Sequence, residues 1–361
     1  MMFAVEVCPL PTTGGATGVA VAALFLLVLG VIVARWTRAS AGRVSFVAVV
    51  PLLLLGIGAV SAQSSSTSCD SSSVTTTSTT LAPLNQNLIL EIDTSFATLG
   101  TDLVYELGLF GDVDVRVDWG DGSPDDDVSV AGPFAHTYAT SGQYTITVSG
   151  SLTGLGGNAS PLSGAEYLTA VTSFGDLGIE SLAYAFYGSE NLVNVPAVLP
   201  ATVTDMSAMF RDASSFDQSL SSWDTANVTN MGMMFYYAFS FDQSLSSWDT
   251  TTVTDMSAMF YYASSFDQSL GAWDIGLVDN MGSMLDNSAL SVANYDATLI
   301  GWEDGPKQNN VTLGALGLSF SSLGSDARLS LNCFSYWQFS GDSPAFVPSS
   351  IDGAQIVPMG C

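Results

Sequence analysis

From Val203 to Leu285 the apolar positions return every 25 residues. Met206, Met231, Met256 and Met281 form one column, and Phe210, Phe235, Phe260 and Leu285 a second. Phe216, Phe241 and Phe266 form a third, and Trp223, Trp248 and Trp273 a fourth. A fixed period in the twenties predicts stacked supersecondary units, because one such unit cannot bury its apolar side alone. Within a block, Met256, Met259, Phe260 and Ala263 fall at i, i+3, i+4 and i+7, which predicts one face of a two-turn helix. Asp205, Asn230, Asp255 and Asn280 stand in register just before it as N-caps. A worn unit precedes the blocks at Ile179, Leu182, Ala185, Phe186 and Leu192. Behind them, Tyr295, Leu299 and Trp302 share the face of a different helix, and a second helical pattern runs from Asp326 to Phe334. Residues 291–361 therefore read as a C-terminal cap.

Ahead of the repeats the period changes to two. NLILEIDT, Leu103 to Leu109, VDVRVDW and QYTITVSG read as strands, with turns at Gly120-Asp121-Gly122 and Ser141-Gly142. The first sixty-two residues are different again. Gly15 to Ala34 is a 20-residue uncharged run, long enough for about 30 Å of bilayer. Val44 to Ala62 is a second run, and Arg35, Arg38 and Arg43 lie between the two. Either the pair forms membrane helices with the basic loop in the cytoplasm, or the second run is a signal peptide cut after Ala62. Both place everything beyond Gln63 outside the cytoplasm. Residues 63–84 are a Ser/Thr-rich linker that cannot bury a core. The expected division is thus 1–62 hydrophobic N-terminus, 63–84 linker, 85–152 strand domain, 153–290 repeats and 291–361 cap.

Charge narrows the function classes. The chain carries a net charge of −27, and from Gln63 onward four basic residues face 33 acidic ones. That balance excludes nucleic acid as a partner, since such binding needs a basic footprint. It attracts cations. Asp217, Asp242 and Asp267 stack in one column of the repeats, and Asp224, Asp249 and Asp274 in another. Two readings of these columns stand: each carboxylate accepts backbone N–H groups within its loop, or the columns form a ladder of weak calcium sites. No other cofactor is implied. The paired tyrosines Tyr236-Tyr237 and Tyr261-Tyr262 either pack between turns or form an exposed binding stripe. Cys333 and Cys361 are candidates for a disulfide outside the cytoplasm. Asn158, Asn227 and Asn310 begin glycosylation sequons. His136 is the only histidine, so no Ser-His-Asp set assembles around it without strain on the argument. Carboxylates that recur in every block are unlike a singular catalytic pair, and no enzyme is expected.

VDWGDGS at 117–123 and HTYATSGQYTITV at 136–148 resemble the polycystic-kidney-disease (PKD) domain. That resemblance implies a β-sandwich acting as spacer or interaction module. The M-x-x-M-F-x-x-A-x-x-F-D-Q-x-L-x-x-W-D block resembles the BspA-type leucine-rich-repeat surface proteins. It implies an α/β leucine-rich-repeat-like solenoid on a cell-surface or secreted protein, some members being adhesins. The expected chain is therefore multidomain: N-terminal membrane helices, a PKD-like β-sandwich, then a short solenoid with its cap. The expected function is noncatalytic adhesion or recognition of protein or glycan ligands, either membrane-anchored with extracellular domains or secreted. The alternative is a structural envelope component that assembles through its repeats.

Overall fold

A computed structural model describes residues 86–97, 102–157 and 160–345. The strands expected ahead of the repeats form, but they make one hydrogen-bonded sheet. Strands β1 (Leu88–Asp93), β2 (Val104–Asp118), β3 (Asp126–Val128), β4 (Gly132–Thr137), β5 (Gln143–Leu155) and β6 (Leu168–Phe174) are all members of it. The order is β3-β2-β5-β1-β6, and β4 also pairs with β2. This corrects the PKD-like β-sandwich. The 15-residue β2 replaces two short strands: its first half pairs with β4 and its second half with β3, both antiparallel. A register shift between Phe110 and Val113 bends the strand between those halves. The two recognisable strings do meet. Trp119 stacks on His136 at 4.7 Å, and the Tyr138 hydroxyl donates to the Trp119 carbonyl at 3.1 Å.

The blocks from Val203 to Leu285 contain no helix and no strand, so the α/β leucine-rich-repeat-like solenoid is also overturned. What replaces the predicted two-turn helix is a run of tight turns. The N–H groups of Met209, Arg211 and Ala213 bond back to the carbonyls of Met206, Ala208 and Phe210, three residues earlier. The alternate N–H groups, of Met206, Ala208, Phe210 and Asp212, leave the block. They bond the carbonyls of Asn230, Gly232, Met234 and Tyr236 in the next one, at 2.8–3.0 Å. A helix cannot do this, because it spends each N–H on the carbonyl four residues back. Two residues per block turn left-handed to aim those groups sideways: Ala208 and Asp212, Met233 and Tyr237, Ala258 and Tyr262, Ser283 and Asn287, all with φ of 50–57°. Non-glycine residues adopt that conformation at a cost on the order of 1–2 kcal/mol each, which the cross-block bonds offset. Asp205, Asn230, Asp255 and Asn280 form single parallel bridges from block to block. Each accepts an N–H two residues on, so the capping chemistry survives without a helix. The i, i+3, i+4 spacing is common to a helix and to consecutive turns, which is why the pattern alone misled.

The apolar columns stack as continuous core. Phe210, Phe235 and Phe260 sit 5.6 Å apart, ring on ring, and each packs on its partner Phe216, Phe241 or Phe266 at 3.9–4.2 Å. Every tryptophan reaches back one block to donate its indole N–H: Trp223 to the Pro196 carbonyl, Trp248 to Leu220 and Trp273 to Leu245.

Both ends of the stack are covered. At the front, Leu155 at the end of β5 bonds Ser181 of the worn unit, and Val171 of β6 bonds Asn194. At the back stands α1 (Val292–Asp304), capped by the Ser291 hydroxyl accepting from Asn294 N–H. Its Trp302 continues the tryptophan column by donating to the Leu270 carbonyl at 3.0 Å. Strands β7 (Thr312–Gly314) and β9 (Gln338–Ser340) and strands β8 (Ser319–Phe320) and β10 (Ser343–Pro344) pair in parallel around α2 (Ser322–Phe334). Close contact between α1 and the third block requires glycine: a Cβ on Gly271 would meet the Ala297 carbonyl at 2.4 Å. The first two blocks carry Ser221 and Ser246 there.

No helix among the described residues is long and apolar enough to cross a membrane. The spans expected over 15–34 and 44–62 lie outside the described residues. The transmembrane helices and the membrane partner expected there are not carried forward.

Candidate recognition surface

The first aspartate column is a hydrogen-bond relay. Asp217 Oδ1 accepts from the Asp242 N–H and from Gln243 Nε2, both at 2.9 Å. Asp242 Oδ1 accepts from the Asp267 N–H at 2.8 Å and from Gln268 Nε2 at 2.9 Å. Asp267 Oδ1 then accepts from the Ser291 N–H at 2.6 Å and from Asn294 Nδ2 at 2.9 Å. Asn294, on α1, thus stands in for the glutamine of a further block. At Asp267 burial pushes the carboxyl up, but the bonds from Ser291 and Asn294 outweigh it and hold the carboxyl below the ordinary range. The second column closes local turns: Asp224, Asp249 and Asp274 accept from the N–H groups of Ala226, Thr251 and Gly276. Each of these six carboxylates therefore accepts a backbone N–H, and the first column also takes a side-chain amide. Among the described residues no group of three or more His, Cys, Asp or Glu side chains could hold a metal ion.

The tyrosines lie along one edge and stack mainly on each other. The Tyr236 and Tyr261 rings are 4.7 Å apart and near parallel. Tyr237 and Tyr262 are 5.3 Å apart and tilted. On the other side of Tyr236, the Arg211 guanidinium lies 4.7 Å from its ring and 4.7 Å from that of Tyr187. Arg211 is sandwiched between two aromatic faces. Its Nε lies 3.6 Å from Asp212 Oδ2, too far for a hydrogen bond. The faces of Tyr236 and Arg211 are thus occupied within the protein.

Beside this edge lies a cleft of about 730 Å³. Phe96, which follows β1, and Phe239, in the second block, line it with rings 46% and 44% exposed. Glu166, Glu190 and Asp212 are its carboxylates. Burial pushes the Asp212 carboxyl up, Arg211 pulls it the other way, and Glu190 adds to the rise. Sequence reasoning passed over this cleft because its residues come from five separate stretches. One signal was available: Phe239 stands where the neighbouring blocks have Ser214 and Ser264, and Asp212 where they have Tyr237 and Tyr262.

The remaining expected residues fall elsewhere. Asn227 is exposed, but its side-chain nitrogen donates to the Ala201 carbonyl at 2.9 Å, the nitrogen a glycan would need. Asn310 is exposed with φ of 60°, and Asn158 lies outside the described residues. Cys333 is disulfide-bonded; Cys361, its expected partner, lies outside the described residues. His136 holds Asp121 Oδ2 at 2.9 Å. Burial raises the Asp121 carboxyl, but bonds from Ser123 and His136 prevail and hold it at about 2.

Residues 180–297 match a family model described as "Mycoplasma protein of unknown function, DUF285". The match takes in the worn unit, the three blocks and the first turns of α1. No curated protein and no solved structure matches the chain significantly. What the comparisons support is a likeness over the repeats to a family without an assigned activity.

Proposed function

We propose that this chain is a noncatalytic recognition protein working outside the cytoplasm, with the aromatic and acidic edge of its repeats as the contact surface. One observation carries the proposal. The block interiors are saturated with their own bonds, whereas three of the residues that break the repeat, Arg211, Asp212 and Phe239, gather at one exposed edge beside a cleft. A surface that departs from an otherwise copied unit is where selection for a partner would act. The disulfide at Cys333 fits an oxidising compartment, and the net charge of −27 fits a soluble exterior that avoids nucleic acid. Its ligand class is protein or glycan. Assembly into an envelope through the repeats would need an open end of the stack. Here β5 and β6 close one end and α1 the other, which favours recognition.

The test is protease treatment of intact producing cells, with the culture medium assayed in parallel. We expect the repeat region in the medium or cleaved from the cell exterior. A chain found wholly inside the protease-resistant cytosol refutes the proposal.

A further inference from the structure

The three blocks are near-copies, so each departure from the shared pattern asks for a reason. Several departures in the third block have one. Gly271 admits the backbone of α1, and Ile275 is buried and bridged to Lys307 behind the stack. Asn230 replaces an aspartate and makes the same turn bond. Arg211, Asp212, Met233 and Phe239 are among the departures that remain. Met233 is accounted for by Arg211, whose Nη1 lies 4.0 Å from its sulfur. Asp212 faces Arg211 at 3.6 Å and the Phe239 ring lies 5.5 Å from that of Tyr237, and both also line the cleft. Phe239 leaves nearly half of a large apolar ring in water, which folding alone does not favour.

The chemistry of the cleft is specific. Two exposed aromatic residues and three carboxylates line it, in a chain of net charge −27. Carboxylates near one another attract a cation, and an aromatic face adds to that attraction. The adjoining edge already displays the combination in use, with the Arg211 guanidinium laid between Tyr187 and Tyr236. A guanidinium suits such a place better than an ammonium. It is flat enough to stack, weakly hydrated, and able to hold a carboxylate with two N–H groups at once.

We propose that this cleft receives an arginine side chain from a basic segment of a partner protein, which stacks on Phe96 or Phe239 and pairs with Glu190 and Asp212. The proposal rests on the recognition function above and names its ligand. The pairing is electrostatic, so the affinity falls as salt is added.

The test uses the full chain and a fluorescein-labelled peptide with three arginines separated by Gly-Ser, read by fluorescence anisotropy at low salt. Phe239→Ser restores the residue of the other two blocks, so it keeps the fold; a thermal melt confirms that. Expected results are saturable binding by the parent, a three- to tenfold loss in Phe239→Ser and in Asp212→Asn (about what one cation–π contact or one ion pair supplies), and no saturable binding of the same peptide with citrulline for arginine. Asp279→Asn, an exposed site in the fourth block, should leave binding unchanged. Equal affinity of Phe239→Ser and the parent overturns the proposal. So does equal weakening by Asp279→Asn, which would mean nonspecific attraction to an acidic surface. Displacement of the peptide by a neutral hexasaccharide would assign the cleft to a glycan instead and also overturn it. Failure here leaves the protease-accessibility result untouched, so the two proposals fail separately.

Discussion

Replacing Asp242 separates two contributions that the aspartate relay combines. Its Oδ1 accepts from a main-chain N–H at 2.8 Å and from Gln268 Nε2 at 2.9 Å. Hydrogen bonds to a charged acceptor contribute about 1.5–3 kcal/mol each when buried, and less at a half-exposed site; about 2–3 kcal/mol for the pair is a fair sum. Against it stands repulsion from Asp217 and Asp267. With the coils about 4.8 Å apart, each neighbour costs about 0.9 kcal/mol at the dielectric of water. Asp242→Ala loses both bonds and gains relief from both neighbours, so it should destabilise by about 1 kcal/mol at low salt. The loss should grow with added salt, because screening removes the repulsion from the parent and so removes the gain. Asp242→Asn keeps an oxygen that can accept both donors and sheds the charge. It should match or slightly exceed the parent at low salt. Urea unfolding followed by tryptophan fluorescence, in 20 mM and 500 mM salt, measures both variants. If Asp242→Asn proves as destabilising as Asp242→Ala, the carboxylate is not acting as an acceptor for these donors and the account is wrong. Running the parent with calcium and then with chelator tests the other reading of the column. The relay predicts no shift in midpoint, and a calcium-dependent shift lost in Asp242→Asn would restore a cation ladder.

Two further outcomes follow from the core and the sheet. Phe235→Ala removes a ring packed between Phe210 and Phe260 and against Phe241; it should cost about 3–5 kcal/mol in the same urea assay, and a cost below about 1 kcal/mol would mean the column is not continuous core. Asp121 has a folded pKa of about 2, below the unfolded value of about 3.9. Its stabilisation is therefore complete above about pH 4 and is lost as pH falls through 2. Discounted for solvent screening at this exposed turn, between pH 4 and pH 2 the parent should lose up to about 1 kcal/mol more than Asp121→Asn, and parallel acid melts would refute the assignment.

How much of this was legible beforehand depended on the distance over which each residue acts. The columns of Met, Phe and Trp could be read directly, because a strict period forces equivalent residues onto one another. The two C-terminal helices could be read from Tyr295, Leu299 and Trp302 and from the pattern ending at Phe334. The helix inside each block could not be told from a chain of turns. What decides between them is whether the N–H of Ala208 bonds within its own block or to Gly232, and no local pattern records that. The sandwich failed for a similar reason. The length of β2 and its bend at Phe110–Val113 depend on which strands lie beside it. The cleft was the least visible, since Phe96, Glu190 and Phe239 meet only through the stacking itself. The mismatches of Phe239 with Ser214 and Ser264, and of Asp212 with Tyr237 and Tyr262, were the traces left in the sequence.

The junction at α1 bears on how such a chain changes over time. Asn294 takes over the donor role of Gln268, and Trp302 takes over that of Trp273, so the third block hands on the same bonds that it receives. A duplication or excision of the middle block (228–252), within the DNA or by design, would leave both terminal junctions, Gly271 against α1 included, chemically unchanged. Length can then be gained or lost in whole steps while the ends stay fixed. Each added step would also move the acidic, aromatic edge by one coil, so reach and partner choice could be tuned by copy number alone.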